Sequence, residues 1–382
     1  MRGRILVALA AAGSLMLAAC GDSADDDTAG NTGGGGGDSE EYVVVWINPL
    51  SGASAAFGEA SRGGVELALQ DIAESGGING SELEVLFEDN ELQPEASITA
   101  YQRTAGRNPV TVMTAGSSVV LALAPLAEQD EVMLANIGAQ SPALISPDLP
   151  QVYNFIPTSA AEADRLADRL VEDEGITKVA TLSVDNDYGK DTSEAFHTAF
   201  EEAGGTISAR EIHELGGTDM RTQLTKIKAS DAEAVVFISN VGEVGHSVAQ
   251  AEELGIDLPR YGFTYALSPD NFEIAGDAMD GMKGIAVSFV NDSEKALDFA
   301  ERYEEAYGTW PNVTAAVSYD GTMIIAEGLR EVGNDRQALI DYVANVEGHE
   351  GVLGTTNMTP ERQSDFPLNE FEIVDGEIGT WE

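Results

Sequence analysis

Along the chain, short runs of β-branched and aliphatic residues alternate with longer stretches in which apolar positions recur every three to four residues. The runs 42–47, 83–88, 110–114, 132–137, 179–183, 206–212, 234–238 and 284–288 predict strands. Amphipathic stretches between them predict helices. One, over 58–72, carries Val65, Leu67, Leu69 and Ile72 toward the first sheet. Ser159 and Glu162 have capping-box spacing, which predicts a helix running from there to about residue 174. Strand and helix in regular alternation predict an α/β fold of parallel sheets covered by helices. More than 300 residues of it exceed what one core holds, so two doubly wound lobes are expected.

The first twenty residues break this pattern. Arg2 and Arg4 precede the apolar run 5–12, and Leu17-Ala18-Ala19-Cys20-Gly21 follows. The run is too short to span a bilayer and ends in small residues, which predicts a secretory signal. The last five of these residues resemble a bacterial lipoprotein lipobox. That resemblance implies a signal peptide over 1–20 and a lipid on Cys20, the only cysteine in the chain. Residues 21–41 are rich in Asp, Gly, Ser and Thr, too polar to bury a core, and predict a flexible tether.

Charge narrows the partners. With 66 acidic residues against 20 basic ones the net charge is -46, which repels phosphate backbones and anionic headgroups. Nucleic acid is therefore not an expected partner, and the membrane is met only through the lipid on Cys20. Self-repulsion at this charge is relieved by ions, as in a saline medium.

Catalytic and metal chemistry find little support. His197, His213, His246 and His349 have no metal-ligand spacing, the cysteine is assigned to the anchor, and neither a Gly-x-Ser-x-Gly elbow nor a phosphate-binding loop occurs. Residues 185–189 invite a calcium loop, but Gly189 stands at a ligand position and the distant bidentate Glu is missing. No cofactor and no enzyme activity are expected; an anchored hydrolase is the remote alternative, one that would release product over time.

A series of short motifs runs in order along the chain: Asn48-Pro49-Leu50-Ser51-Gly52, Phe57-Gly58, Gly76-Gly77-Ile78-Asn79-Gly80, Gly116-Ser117-Ser118, Pro125, Ser141-Pro142, 185–189, Gly217-Thr218-Asp219, Leu254-Gly255 and Tyr319-Asp320. Together they resemble type I periplasmic binding proteins of the branched-chain amino acid and amide ABC transporter class. The resemblance implies two Rossmann-like lobes joined by three crossovers, near 155–158, 287–291 and 367–371. One lobe would combine 42–157 with 290–367, and the other 158–289 with 368–382. It further implies an extracytoplasmic protein, anchored to the bacterial cell membrane, that captures a small ligand by hinged lobe closure and hands it to ABC permease subunits. The ligands in question are a branched-chain or other amino acid, an amide, urea or a small carboxylic acid. A sensor that signals to a membrane receptor is the alternative.

The candidate ligand-binding residues follow from position and resemblance together. Ser117 and Ser118 lie where a predicted strand gives way to a helix, so free N–H groups, the positive helix end and two hydroxyls meet. Pattern alone favours a simple serine N-cap; the resemblance reverses this and implies contact with a ligand carboxylate. Ala139, Gln140 and Ser141 follow a strand's carboxyl end, where ligands of open α/β sheets sit. Phe57 and Tyr188 match aromatics that wall and close the pocket in the family, and Asn240-Val241 and Thr264-Tyr265 are the remaining second-lobe positions. Thr264 departs from the family pattern. Amino acid binders of the class place a carboxylate near it for the ligand ammonium, and Val241 is apolar where a tyrosine is frequent. Asp185 or Glu243 would have to supply the charge, or the ligand lacks an ammonium.

Overall fold

The computed structural model describes residues 41–287 and 293–381. The expected signal segment, Cys20, most of the tether and most of the 287–291 crossover lie outside them.

The amino-terminal part builds a five-stranded parallel sheet. Its strands are Tyr42–Asn48 (β1), Leu83–Asp89 (β2), Thr111–Thr114 (β3), Met133–Asn136 (β4) and Val152–Asn154 (β5), in the order β2-β1-β3-β4-β5. Helices Ala55–Glu74 (α1), Pro94–Thr104 (α2) and Ser117–Gln129 (α3) connect them. Every residue of β1 is buried. Tyr42, Val44 and Trp46 enter one core with α1, while Val45 and Ile47 enter a second with Tyr101 of α2 and Leu123 of α3. A strand covered on both faces has to be apolar at every position, which is why these runs read as continuous and not alternating.

The chain then crosses to a seven-stranded sheet. After helix Ala160–Asp168 (α4) come Lys178–Val184 (β6), helix Asp187–Glu202 (α5), Thr206–His213 (β7), helix Arg221–Ala229 (α6), Ala234–Ile238 (β8), helix Glu243–Glu253 (α7), Arg260–Gly262 (β9), helix Pro269–Ala275 (α8) and Lys283–Ala286 (β10). Ala234, Val236 and Ile238 of β8 pack with Leu166, Phe196 and Phe200; Val235 and Phe237, on the other face, pack with Leu224 and Val248. The chain returns to the first lobe as helices Glu294–Tyr307 (α9), Val313–Val332 (α10) and Arg336–Ala344 (α11) and a hairpin, His349–Gly351 (β11) with Gly354–Thr356 (β12). It ends in the second sheet as Asn369–Val374 (β13) and Glu377–Thr380 (β14), both antiparallel, giving the order β14-β13-β10-β9-β8-β6-β7. Three passages between two sheets make the α/β fold two doubly wound lobes joined by three crossovers. No helix of the described residues is long and apolar enough to cross a membrane.

Two local expectations change. The capping box at Ser159 is not made: Ser159 is the N-cap of α4 but its side chain does not cap. Its hydroxyl instead donates to the Gln140 carbonyl at 2.9 Å, and Glu162 turns fully inside. Packing between the lobes outbids the local bond, because both side chains face inward. Neither Ser117 nor Ser118 is the N-cap of the helix of 117–129, since Gly116 takes that position at φ 82, where glycine meets no steric penalty.

Candidate functional site

A cavity of about 270 Å³ lies between the lobes, and both contribute to its wall. From the first lobe come Ala53, Ala56, Phe57, Leu92, Gly116, Ser117, Gly138 and Ala139; the second adds Asn186, Tyr188, Thr218, Asn240, Val241, Glu243, His246, Tyr265, Asp270 and Ile274 among others. The body of the wall is apolar. Polar groups come chiefly from the second lobe, among them Asn186, Tyr188, Asn240, Glu243 and Asp270, where they can orient a small molecule.

On the first lobe, the start of α3 opens at this wall through Gly116 and Ser117. Its first N–H groups have no partner inside the helix, so the cavity meets a positive helix end. The buried Ser117 hydroxyl accepts from Ser141 N at 3.2 Å, tying the helix to the loop 138–141. That loop is held from below by Asn136, which accepts from Gly138 N at 3.1 Å and Ala139 N at 2.7 Å and donates to the Ala139 carbonyl at 2.7 Å. An asparagine ending a strand can serve both backbone polarities at once, which makes this loop rigid.

On the second lobe, Asn186 caps α5 by accepting from Gly189 N at 2.8 Å, which seats Tyr188 in the first helical turn. The Tyr188 ring meets Tyr265 edge-on at 5.1 Å, and Tyr265 meets Phe57 across the cleft at 6.4 Å. The Tyr188 hydroxyl and Asn240 Nδ2 are buried with no hydrogen-bond partner in the chain. Both residues line the cavity, so two polar groups there await a partner.

The structure brings Phe57, Ser117, Ala139, Tyr188, Asn240 and Val241 to this one wall. Ser118, Gln140, Ser141 and Thr264 are not part of it. Ser118 follows Ser117 in the first turn of α3 and is only partly buried, outside the cavity wall. Gln140 is fully buried behind the wall, its Nε2 donating to Glu162 at 2.7 Å and to the Pro157 carbonyl at 3.2 Å. The Ser141 hydroxyl donates to Asp191 of α5, and the Thr264 hydroxyl donates to Glu162 at 2.9 Å. Of the two carboxylates considered for an ammonium, Asp185 is half exposed and paired with Lys190 at 2.7 Å, away from the cavity. Glu243 does line it, but accepts from Gly216 N at 2.6 Å and Asn240 N at 2.9 Å. Burial raises its pKa above the ordinary carboxyl value, opposed by the nearby His213.

Sequence reasoning missed Glu162, Asp270 and His246. Glu162 is fully buried, and burial pushes its carboxyl up to about 7 against the lowering effect of hydrogen bonds from Thr264 and Gln140. Its local pattern was that of a surface capping residue. Asp270 and His246 sit on helices with no motif around them, and only tertiary folding turns them to the cavity. Among the described residues no group of side chains has the makings of a metal site.

A cavity enclosed between two parallel-sheet lobes, with unpartnered polar groups in its wall, defines a two-lobed solute-binding protein. The chain belongs to the family described as periplasmic binding protein, whose model matches residues 41–370. It is thus a binding protein of an extracytoplasmic family and not an enzyme. It shares 26% identity over 349 residues with Leu/Ile/Val-binding protein homolog 3 of Brucella melitensis, covering 87% of this chain and 91% of that one. Among solved structures it resembles a leucine binding protein from Thermotoga maritima, with a TM-score of 0.82 and 21% identity over 89% of this chain and 98% of that one. It also resembles a solute binding protein of an ABC transporter from Rhodopseudomonas palustris in complex with 3,4-dihydroxy benzoic acid, with a TM-score of 0.81 and 24% identity over 88% and 95%. At these identities the structural likenesses establish the fold.

Proposed function

We propose that this chain is the solute-capturing subunit of an ABC importer, held outside the cytoplasm by a lipid on Cys20 and closing on a small ligand with a carboxylate end and an apolar body. The lobes 42–157 plus 290–367 and 158–289 plus 368–382 are the bodies that move, and the crossovers are the hinge. The observation that carries the reading is the pair of buried, unpartnered groups, Tyr188 hydroxyl and Asn240 Nδ2, on two residues that line a cavity that also receives the start of α3. A ligand carboxylate at that helix end would gain N–H donors and a favourable dipole, and its other end would reach the two second-lobe groups.

Whether an ammonium belongs in the ligand turns on Asp270. It lines the cavity, and its Oδ2 accepts from Ser268 at 2.9 Å. The relatives' names span Leu/Ile/Val and 3,4-dihydroxy benzoic acid, so both an amino acid and a plain carboxylic acid are in range. Thermal shift with matched pairs tests this: L-leucine against 4-methylpentanoate, and L-phenylalanine against benzoate, with urea and small amides beside them. Binding to the folded state raises the melting temperature. The reading fails if none of these compounds shifts it at millimolar concentration.

A further inference from the structure

The loop Gly138-Ala139-Gln140-Ser141 of the first lobe is gripped by the second lobe at three residues in four. Gly138 O accepts from the Tyr265 hydroxyl, Gln140 Nε2 donates to Glu162, and Ser141 Oγ donates to Asp191, while Ala139 lines the cavity. Glu162 is the centre of this grip. Its Oε1 receives Gln140 Nε2 at 2.7 Å and Thr264 Oγ1 at 2.9 Å, and its Oε2 receives Thr264 N at 3.1 Å. Thr264 Oγ1 in turn accepts from Val287 N at 2.9 Å, where the chain leaves the second sheet for the first lobe. Thr264 also opens the short turn Thr264–Leu267 that carries Tyr265 across the cleft.

We propose that the buried Glu162 carboxyl, bridging Gln140 of the first lobe and Thr264 of the second, is a positioning residue that sets Tyr265 across the cleft and couples lobe closure to uptake of a proton. The inference rests on the cavity being the solute site.

Three features support it. Glu162 has no cation among its partners, only three neutral donors, and a fully buried carboxylate without a counter-charge is costly. Gln140 Oε1, on the amide that already touches Glu162, is buried with no donor, so the cluster is one proton short of satisfying its acceptors. Burial holds the carboxyl at about 7 in this closed arrangement. Opening the cleft parts Gln140 from Glu162 and admits water, which returns the group toward its ordinary value of 4.5. The closed state therefore binds the proton more tightly, and closure is favoured as pH falls through 7.

The surrounding groups do not supply this proton. Tyr188 of α5 and Tyr265 of the turn both face Glu162, and burial raises both well above the ordinary phenol range. The first-lobe loop contributes only the amide of Gln140. Lys283, at the start of β10, is drawn to Glu174 at 3.9 Å, and Asp191 of α5 is engaged by Ser141. His197, further along α5, is held neutral by burial, which lowers its pKa to about 4. Glu243, with His213 beside it, acts on Tyr188 from the cavity side and is separated from Glu162 by the test variant.

The test is calorimetry with L-leucine and with benzoate, in two buffers of different ionisation enthalpy, at pH 6, 7 and 8. Affinity is expected to be about tenfold tighter at pH 6 than at pH 8, with close to one proton taken up per ligand bound at pH 6. Glu162→Gln keeps the hydrogen-bonding shape without the charge. It is expected to abolish the uptake and to bind at pH 8 as tightly as the natural chain does at pH 6. A second arm follows glutamate side-chain carboxyl signals by carbon-13 NMR between pH 4 and 9, without ligand and with each compound at saturation: one signal, missing in Glu162→Gln, should titrate near 7 in the ligand-bound, closed protein and nearer 4.5 in the free, open one. No glutamate signal titrating above pH 6 in the ligand-bound protein, or uptake that persists unchanged in Glu162→Gln, overturns the proposal. If neither compound binds at any pH, the reading of the cavity fails and the proposal is decided in the free chain: small-angle scattering that shows closing from pH 8 to pH 6 in the natural chain and not in Glu162→Gln upholds it, and no such difference overturns it.

Discussion

The Tyr265 hydroxyl, carried by the second lobe, donates to the Gly138 carbonyl in the first-lobe loop that follows β4, so one side chain both walls the cavity and fastens the two lobes. Removing that hydroxyl leaves a buried carbonyl unpaired in the closed state and costs the open state nothing. Tyr265→Phe is therefore expected to weaken solute binding by about 1–3 kcal/mol with little change in the melting temperature of the free protein. Calorimetry beside a thermal scan checks it; equal loss in both would make the contact a matter of folding and not of closure.

Tyr188 makes the opposite case to an ordinary buried tyrosine. Its hydroxyl has no partner in the closed arrangement and meets water when the cleft opens, so Tyr188→Phe should leave the melting temperature of the free protein little changed. Solute affinity should fall by about 1–2 kcal/mol. Unaltered affinity in this variant would mean that the ligand does not reach the hydroxyl.

Ser117 and Ser118 are adjacent in sequence and different in place. Ser117 lines the cavity and accepts from Ser141 N, whereas Ser118 does neither. Ser117→Ala is expected to cost about 1–2 kcal/mol in affinity, and Ser118→Ala under about 0.5 kcal/mol. Parallel titrations of the two variants decide it, and a larger effect at Ser118 would move the ligand's contact to that side of the helix.

Asp320 is buried in α10 and accepts from Val352 N at 2.8 Å and Leu353 N at 3.0 Å, holding the turn between β11 and β12. Asp320→Ala strands both N–H groups and is expected to cost about 2–4 kcal/mol of stability, read from urea melts. Burial pushes its carboxyl up to about 6 from the ordinary 3.8. Because the folded value is the higher one, this group's contribution is fullest below pH 3.8 and is lost as pH rises through 6. Melts of Asp320→Asn should lack that part of the pH dependence seen in the natural chain.

Helices α1 and α10 touch at Gly64, where a Cβ would fall on the Ala315 carbonyl oxygen. Backbone cannot yield there as a flexible side chain could. Gly64→Ala is expected to destabilise the first lobe by about 1–3 kcal/mol or more, seen as a lower melting temperature. A variant as stable as the natural chain would show that the two helices can separate freely.

Much of the fold was legible in the sequence because both sheets are buried on two faces. The continuous apolar runs of β1 and β8 have no other stable place, and their spacing by helical stretches announced parallel pairing. The three-residue strand β5 was not legible, since so short a run has no period, and its pairing with β4 depends on the neighbour already being there. The glycine before α3 and the polar residues after it marked a helix start at a strand end, but which hydroxyl faces the cavity is a matter of helix rotation, invisible at the level of motif.

By itself the sequence determined the alternation of strand and helix, two lobes, the family and the neighbourhood of the cleft, because these follow from local propensity and from which residues can be buried at all. Tertiary structure alone decided the use made of each polar group. Ser159 and Glu162 have the spacing of a helix cap, and that spacing is satisfied locally in an isolated helix. Once the lobes meet, Gln140, Thr264 and Thr192 offer bonds in a dry interior where they are worth more, so the cap is given up and Glu162 becomes the carboxyl between the lobes.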